Sequence, residues 1–218
     1  MEFIKKLEEI KKEYNNDKSV MENGTVLYGL GKIPNSRFSM FKGLTDDVIQ
    51  QCIIDAYQNV FPKEYIELLK YTNGAYLFTV RLNTKIHSFA FSLLCIFGLA
   101  WIPDFIDYNK KPFDIRVADV ERHRNVSPDW LKCATYTDPK DLHTYYDIFI
   151  DTTDGKTYSC LKNDYKVVQQ WDTLDSALCY MFKTLEDCQT EYEYKWINDQ
   201  SSGKVHRGRF FCVLVIWK

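Results

Sequence analysis

Residues 61–77, FPKEYIELLKYTNGAYL, constrain the fold more than any other stretch, because they read as a short helix with a start, a buried face, a stop and an exit into a strand. Pro62 fits the first helical turn, where its missing N–H costs nothing and its fixed φ is already helical. Tyr65, Leu68, Leu69 and Thr72 follow at three-and-four spacing, so one stripe of the helix is apolar and faces a core. Asn73-Gly74 tolerates the left-handed conformation of a helix end, and residues 75–82 resume in β-prone types. Such a unit identifies a scaffold and names no chemistry.

The remaining elements arrange themselves around it. Phe3, Leu7, Ile10 and Tyr14 form one face of an N-terminal helix over 1–14, and charged residues form the other, with Glu8 and Lys12 as an i,i+4 pair. Residues 15–44 read as loop, punctuated by Asn23-Gly24, Gly29, Gly31, Pro34-Asn35 and Gly43. Gly29-Leu30-Gly31 lacks the third glycine and the Lys-Ser/Thr pair of a phosphate loop. Thr45-Asp46-Asp47 starts a second helix with a cap and acids at its positive end, and Val48, Cys52, Ile53, Ala56, Tyr57 and Val60 form its buried stripe.

Strands are predicted at 76–82, 86–99, 131–136, 145–151, 156–161 and 167–170. Residues 145–161 make the clearest hairpin, with Asp154-Gly155 supplying the positive φ values of a tight turn. Thr173 caps a last long helix with Leu174, Leu178, Met181, Phe182 and Leu185 inside, continuing to about residue 197. Helices at both ends with strands between them predict an α+β fold, a mostly antiparallel central sheet with helices packed on one face. The chain reads as one domain over 1–200 and an extension over 201–218, whose apolar run at 210–217 suits an extra strand.

Three of these stretches together resemble the SMI1/KNR4 family, also called the SUKH superfamily. They are the helix ending in Asn73-Gly74, the apolar run SLLCIFGL at 92–99 ending in a Phe-Gly pair, and the hairpin and closing helix of 145–182 with Trp171-Asp172-Thr173-Leu174 between them. The likeness covers roughly residues 44–185, with N-terminal helix 1–14 outside it. It implies an SMI1/KNR4-like fold and, for the class as a whole, an immunity protein of a bacterial polymorphic toxin system. Many toxins of that class are nucleases with basic active sites. Fungal members linked to cell-wall synthesis offer the alternative of a regulatory scaffold without a toxin.

Composition narrows the function further. A formal charge of −2 argues against a direct nucleic-acid binder, which would carry a basic excess to neutralise phosphates. The start of the chain lacks the apolar core of a signal peptide, and the longest apolar run, 89–102, is too short to span a bilayer, so a cytoplasmic protein is expected. Aromatic residues make up 16% of the chain, which suits a sheet-rich core first and a recognition surface second. The seven cysteines show no CxxC and no clustered Cys/His spacing, so they read as reduced, buried thiols without a metal.

No catalytic constellation emerges. His87, His123, His143 and His206 are scattered, and neither HExxH nor GxSxG is present. Cys133 with His143 would be the pair of a cysteine-dependent enzyme, but Cys133 falls inside a predicted strand, where a core thiol is expected. No cofactor motif is present, and the expectation is a non-catalytic protein.

Acidic residues give the positive signal. Asp138, Asp141, Asp147, Asp151 and Asp154 gather around the predicted hairpin, with Tyr145 among them, and Glu186, Asp187, Glu191, Glu193 and Asp199 crowd the final helix. Solvated loops would account for them. The sharper expectation is an electronegative face that steers a basic protein partner into place, with Asp138, Asp141, Tyr145, Asp147, Asp151 and Asp154 as contact residues. With the family resemblance, that partner is a cognate toxin bound by occlusion. Oligomeric state is not legible in the residues.

Overall fold

A computed structural model of the chain describes residues 1–29, 37–52, 61–83, 88–99, 116–117, 126–162 and 164–201. The described elements are, in order, α1 (Glu2–Glu13), β1 (Lys18–Val20), β2 (Val26–Tyr28), β3 (Phe38–Lys42), α2 (Asp46–Cys52), α3 (Lys63–Tyr71) and β4 (Thr72–Asn83). There follow β5 (Ser88–Ile96), β6 (Arg116–Val117), β7 (Trp130–Thr137), β8 (Tyr145–Asp151), β9 (Thr157–Leu161), β10 (Val167–Trp171) and α4 (Leu174–Ser201). The strands form one sheet in the order β1-β2-β3-β4-β5-β7-β8-β9-β10, and every pairing is antiparallel. Strand β6 shares an edge of β7 with β5: β5 covers Ala134 to Tyr136, and β6 covers Leu131 and Lys132. The fold is therefore α+β, built as a meander in which chain neighbours are sheet neighbours except at β6.

Helices bury their apolar stripes on one side of this sheet. Phe3, Leu7, Ile10 and Tyr14 of the first helix are buried as their spacing predicts, and so are Leu174, Leu178, Met181, Phe182 and Leu185 of α4. Tilted and edge-on rings link the layers, running Tyr14–Phe38 at 5.5 Å, Phe38–Phe78 at 5.3 Å and Phe78–Phe182 at 5.0 Å. Phe78 holds a left-handed φ of 53° inside β4, a strained conformation for an aromatic residue, and its buried ring contacts are what offset it.

The helix starts cap one another. Thr173 accepts the N–H of Ser176 at 3.1 Å, as predicted for a cap. Asp175 in the first turn of α4 accepts the backbone N–H groups of Glu2 and Phe3 at 2.9 and 2.8 Å, satisfying the start of α1. Glu64 of α3 accepts the N–H of Asp175 in turn, at 3.1 Å.

Several expectations need correction. Residues 15–44, read as loop, contain β1, β2 and β3; each is short, and β1 is exposed at all three residues, so no apolar periodicity marks them. Helix α2 buries Ile49 at 2% and exposes Val48 at 38%, so Val48 does not face inward as predicted. The expected Ile53, Ala56, Tyr57 and Val60 lie outside the described residues. Pro62 sits just before α3 with an extended ψ of 142°. Helix α3 stops at Tyr71, and Thr72 is already extended, so Asn73-Gly74 belongs to β4 and not to a helix end.

Gly74 does take a left-handed φ of 91°, and the Asn73 side chain has a task that its type alone did not announce. Its Nδ2 donates to the Leu99 carbonyl at 2.8 Å, and its Oδ1 accepts the Leu99 N–H at 2.6 Å. One buried amide thus replaces a backbone partner for the segment leaving β5. Tyr65 Oη of α3 donates to the Phe97 carbonyl at 2.8 Å, binding helix, strand and the Phe97-Gly98 pair together.

Glu8 also departs from expectation. It pairs with Lys11 at 3.3 Å rather than with Lys12, because it is turned toward α3, where Tyr71 Oη donates to its carboxylate in a short hydrogen bond. Lys11 Nζ lies 3.9 Å over the Tyr71 ring. That hydrogen bond, ahead of the nearby lysines, holds the Glu8 carboxyl below its ordinary pKa. A depressed folded pKa stabilises the fold above the unfolded pKa and loses that contribution as pH falls through the folded one. Tyr71→Phe should therefore be less stable than wild type at neutral pH by about 1 kcal/mol, a charged hydrogen bond discounted for exposure. Urea titrations should show the gap shrinking as pH falls through the carboxylate range; a gap that persists in acid would contradict the pairing.

Candidate functional site

Strand β8 is seven residues long, about 20 Å from end to end, and it separates the acidic residues that the sequence groups together. Asp138 and Asp141 lie in the 138–144 connection at one end, where Tyr145 begins the strand. Asp151 ends the strand, and Asp154 lies in the turn into β9 at the other end. Asp147 lies between them at 0% exposure. No single acidic face contains all six residues.

Burial removes Asp147 from the contact set. It points to the sheet face away from the helices, but a second apolar cluster of Val126, Trp130, Phe149 and Cys160 lies on that side. Its partner is Lys132, whose Nζ lies 2.7 Å from Oδ1, and Oδ2 receives no hydrogen bond. The carboxylate belongs to the interior.

The remaining acids shape loops with their side chains. Asp138 Oδ1 accepts the Lys140 N–H at 2.8 Å, and Asp141 accepts the His143 N–H at 3.1 Å and the Thr144 hydroxyl at 2.6 Å. The Thr144 hydroxyl and the His143 N–H together hold the Asp141 carboxyl below its ordinary pKa. At the far end, Asp151 Oδ1 accepts from Thr153 and its Oδ2 accepts the Trp130 indole N–H at 3.0 Å, while Asp154 accepts the Lys156 N–H and ion-pairs its ammonium at 2.9 Å. Asp154 is likewise lowered, chiefly by Lys156. These are Asx-type turns, in which the carboxylate replaces a backbone acceptor. Local hydrogen bonds engage the aspartates at both ends, and among the described residues Asp154 alone of them is also ion-paired, with Lys156.

The Asp138 end has aromatic neighbours, as the far end has in Trp130 and Tyr158, whose rings stack at 4.4 Å. Tyr136 and Tyr146 stack across β7 and β8 at 5.9 Å, and Trp171 meets Tyr180 of α4 at 5.6 Å. Burial first, then the nearby charge of Asp138, raises the Tyr136 and Tyr146 hydroxyls above their ordinary pKa, and Tyr180 adds to both shifts. Asp138, Asp141, Tyr146 and Tyr180 therefore share one electrostatic neighbourhood. Tyr180 is 49% exposed; Tyr145 is also exposed but, one residue before Tyr146, lies on the other face of the sheet, where Lys162 sits 5.8 Å over its ring. Sequence reasoning missed Tyr146 and Tyr180. The available signal was that Tyr180 falls off the inner stripe of α4, placing a large aromatic on the helix's polar face.

The cysteine pair expected of an enzyme does not form a reactive centre. Cys133 is buried in β7 with its thiol directed at the Ile148 carbonyl, and burial pushes its pKa up to about 12; Cys95 and Cys160 are raised to about 12 for the same first cause. A thiol of that kind carries almost no thiolate at neutral pH. Among the described residues no group of three or more His, Cys, Asp or Glu side chains could hold a metal ion, and no helix is long and apolar enough to cross a membrane. His87, His123 and His206 lie outside the described residues. No family model, no curated protein and no solved structure matches the chain.

Proposed function

We propose that this chain is a non-catalytic binding protein that neutralises a cognate protein toxin by direct contact and occlusion, as an immunity protein of the SMI1/KNR4 type would. The observation that carries the reading is the exposed Tyr180 with the half-buried Tyr146, in one electrostatic neighbourhood with Asp138 and Asp141. Tyr180 and the half-buried Tyr146 supply large, stiff apolar area with a polar tip, the composition of interface anchors. The two aspartates sit in loops already ordered by their own hydrogen bonds, so little side-chain freedom is lost when a basic surface arrives. Carboxylates at the rim speed encounter with a cationic partner and fit the basic groove of a nuclease toxin.

Co-expression of the full chain with the toxin encoded beside it tests the reading. The expected outcome is survival together with a stable complex recovered on co-purification. Survival with no complex at any salt concentration would overturn direct occlusion.

A further inference from the structure

The last strand of the described sheet, β10, runs VVQQW and among the described residues, which do not include 210–217, pairs only with β9 and has its other edge open. Strand edges of soluble proteins are ordinarily blunted with charges or proline, yet these five residues contain neither. Val167 is 40% exposed and Val168 is 53% exposed. The opposite edge is protected, since β1 is three residues long and begins with Lys18.

The backbone of β10 presents its free groups in a usable pattern. Leu161 N–H bonds the Lys166 carbonyl, which makes Lys166 the residue facing β9 and turns the N–H and C=O of Val167, opposite Cys160, outward. A bulge at Val168 shifts the alternation, so Gln169 and Trp171 face Ser159 and Thr157 while Gln170 again faces outward. Two outward residues three positions apart match an antiparallel copy of themselves. When Val167 of one strand lies opposite Gln170 of another, the two-fold axis generates the second such pair, and four ladder hydrogen bonds become available.

We propose that β10 is the docking edge for a second copy of this chain, joining two sheets into one across a two-fold axis. In that register Lys166 of one copy lies opposite Trp171 of the other, a cation over an indole face, with Asp172 of that copy next along the chain. Charges agree as well: the β9–β10 turn carries Lys162 and Lys166 against a single Asp164, and it meets Asp172 of the second copy. Neither the Lys166 ammonium nor the Asp172 carboxylate has an ion-pair partner among the described residues, and both residues are exposed. The interface is small and mostly backbone, so the dimer forms in a concentration-dependent way.

Sedimentation of the full chain over a range of concentrations tests this, with two variants. Gln170→Pro removes an outward N–H that β9 does not use, and Val168→Lys places a charge at the exposed bulge; both leave the fold intact, as unchanged circular dichroism and melting should show. Wild type is expected to pass from one-chain to two-chain mass with rising concentration, and each variant to weaken that association at least roughly tenfold. A wild type that stays at one-chain mass throughout overturns the proposal, and so does a dimer that folded Gln170→Pro and Val168→Lys leave unchanged.

Discussion

Gly98→Ala is expected to destabilise the fold by about 3–5 kcal/mol, at the severe end of what a single added methyl group does. A Cβ at position 98 would lie 2.2 Å from the Asn73 carbonyl oxygen and 2.4 Å from its side-chain Oδ1, and the first of these is backbone of a central strand. It cannot move aside without breaking the ladder between β4 and β5, where Ala75 pairs with Ile96. The same displacement would pull the Asn73 amide off Leu99. Asn73→Ala provides the complement: the Leu99 N–H and C=O would remain buried without partners, costing about 2–4 kcal/mol. Gly155→Ala is the control, since nothing lies within 4 Å of its added Cβ and only its left-handed φ of 77° opposes a side chain, about 1 kcal/mol. Denaturant midpoints rank the three; a Gly98→Ala no less stable than Gly155→Ala would contradict the close approach.

Lys132→Met should cost a comparable 3–5 kcal/mol, because it leaves the Asp147 carboxylate buried with no counter-charge. The ammonium approaches Oδ1 off the line of a hydrogen bond, so charge rather than a directed bond joins the two. Removing both charges is different. Lys132→Met combined with Asp147→Leu should recover most of the loss, since an apolar pair of similar volume suits the side occupied by Trp130, Phe149 and Cys160. If the double variant is as unstable as the single one, the site is held by shape and not by charge.

This pair also marks where the sequence stopped being readable. Residues 145–161 are a hairpin on Asp154-Gly155 and alternating residues alone, and β8 and β9 lie where that pattern puts them. Alternation further places Asp147, Phe149 and Asp151 on one face, which for a sheet with helices on its other side reads as solvent. A second apolar cluster there is built from Val126 and Trp130, distant in sequence, so no local pattern could announce that Asp147 is covered. The acidic contact set divides between two ends of the strand for a related reason. Period and composition collect aspartates near one hairpin, but strand length decides that Asp138 and Asp154 end up at opposite ends of it. Asn73 is a mixed case: the left-handed φ of its glycine neighbour was legible, but the pair lies in β4 and not at a helix end, and its long-range bond to Leu99 could not be seen. Strands β1 to β3 escaped because three or five residues with exposed members carry too little periodicity to outweigh the glycines around them.

A toxin-facing role for the tyrosine patch has consequences for which substitutions matter. Tyr180 is exposed on α4, so its truncation should leave the core unaffected, whereas at the far end of β8 Asp154 is already neutralised by Lys156 and Asp151 holds the Trp130 indole. Calorimetric titration of the toxin encoded beside this chain with wild type, Tyr180→Ala and an Asp151→Asn/Asp154→Asn double variant separates the two ends. The account predicts tight stoichiometric binding by wild type, a loss of about 2 kcal/mol or roughly thirtyfold in Kd for Tyr180→Ala, and little change for the double variant. Binding by Tyr180→Ala as tight as wild type, with the loss falling instead on the Asp151 and Asp154 variant, would contradict it.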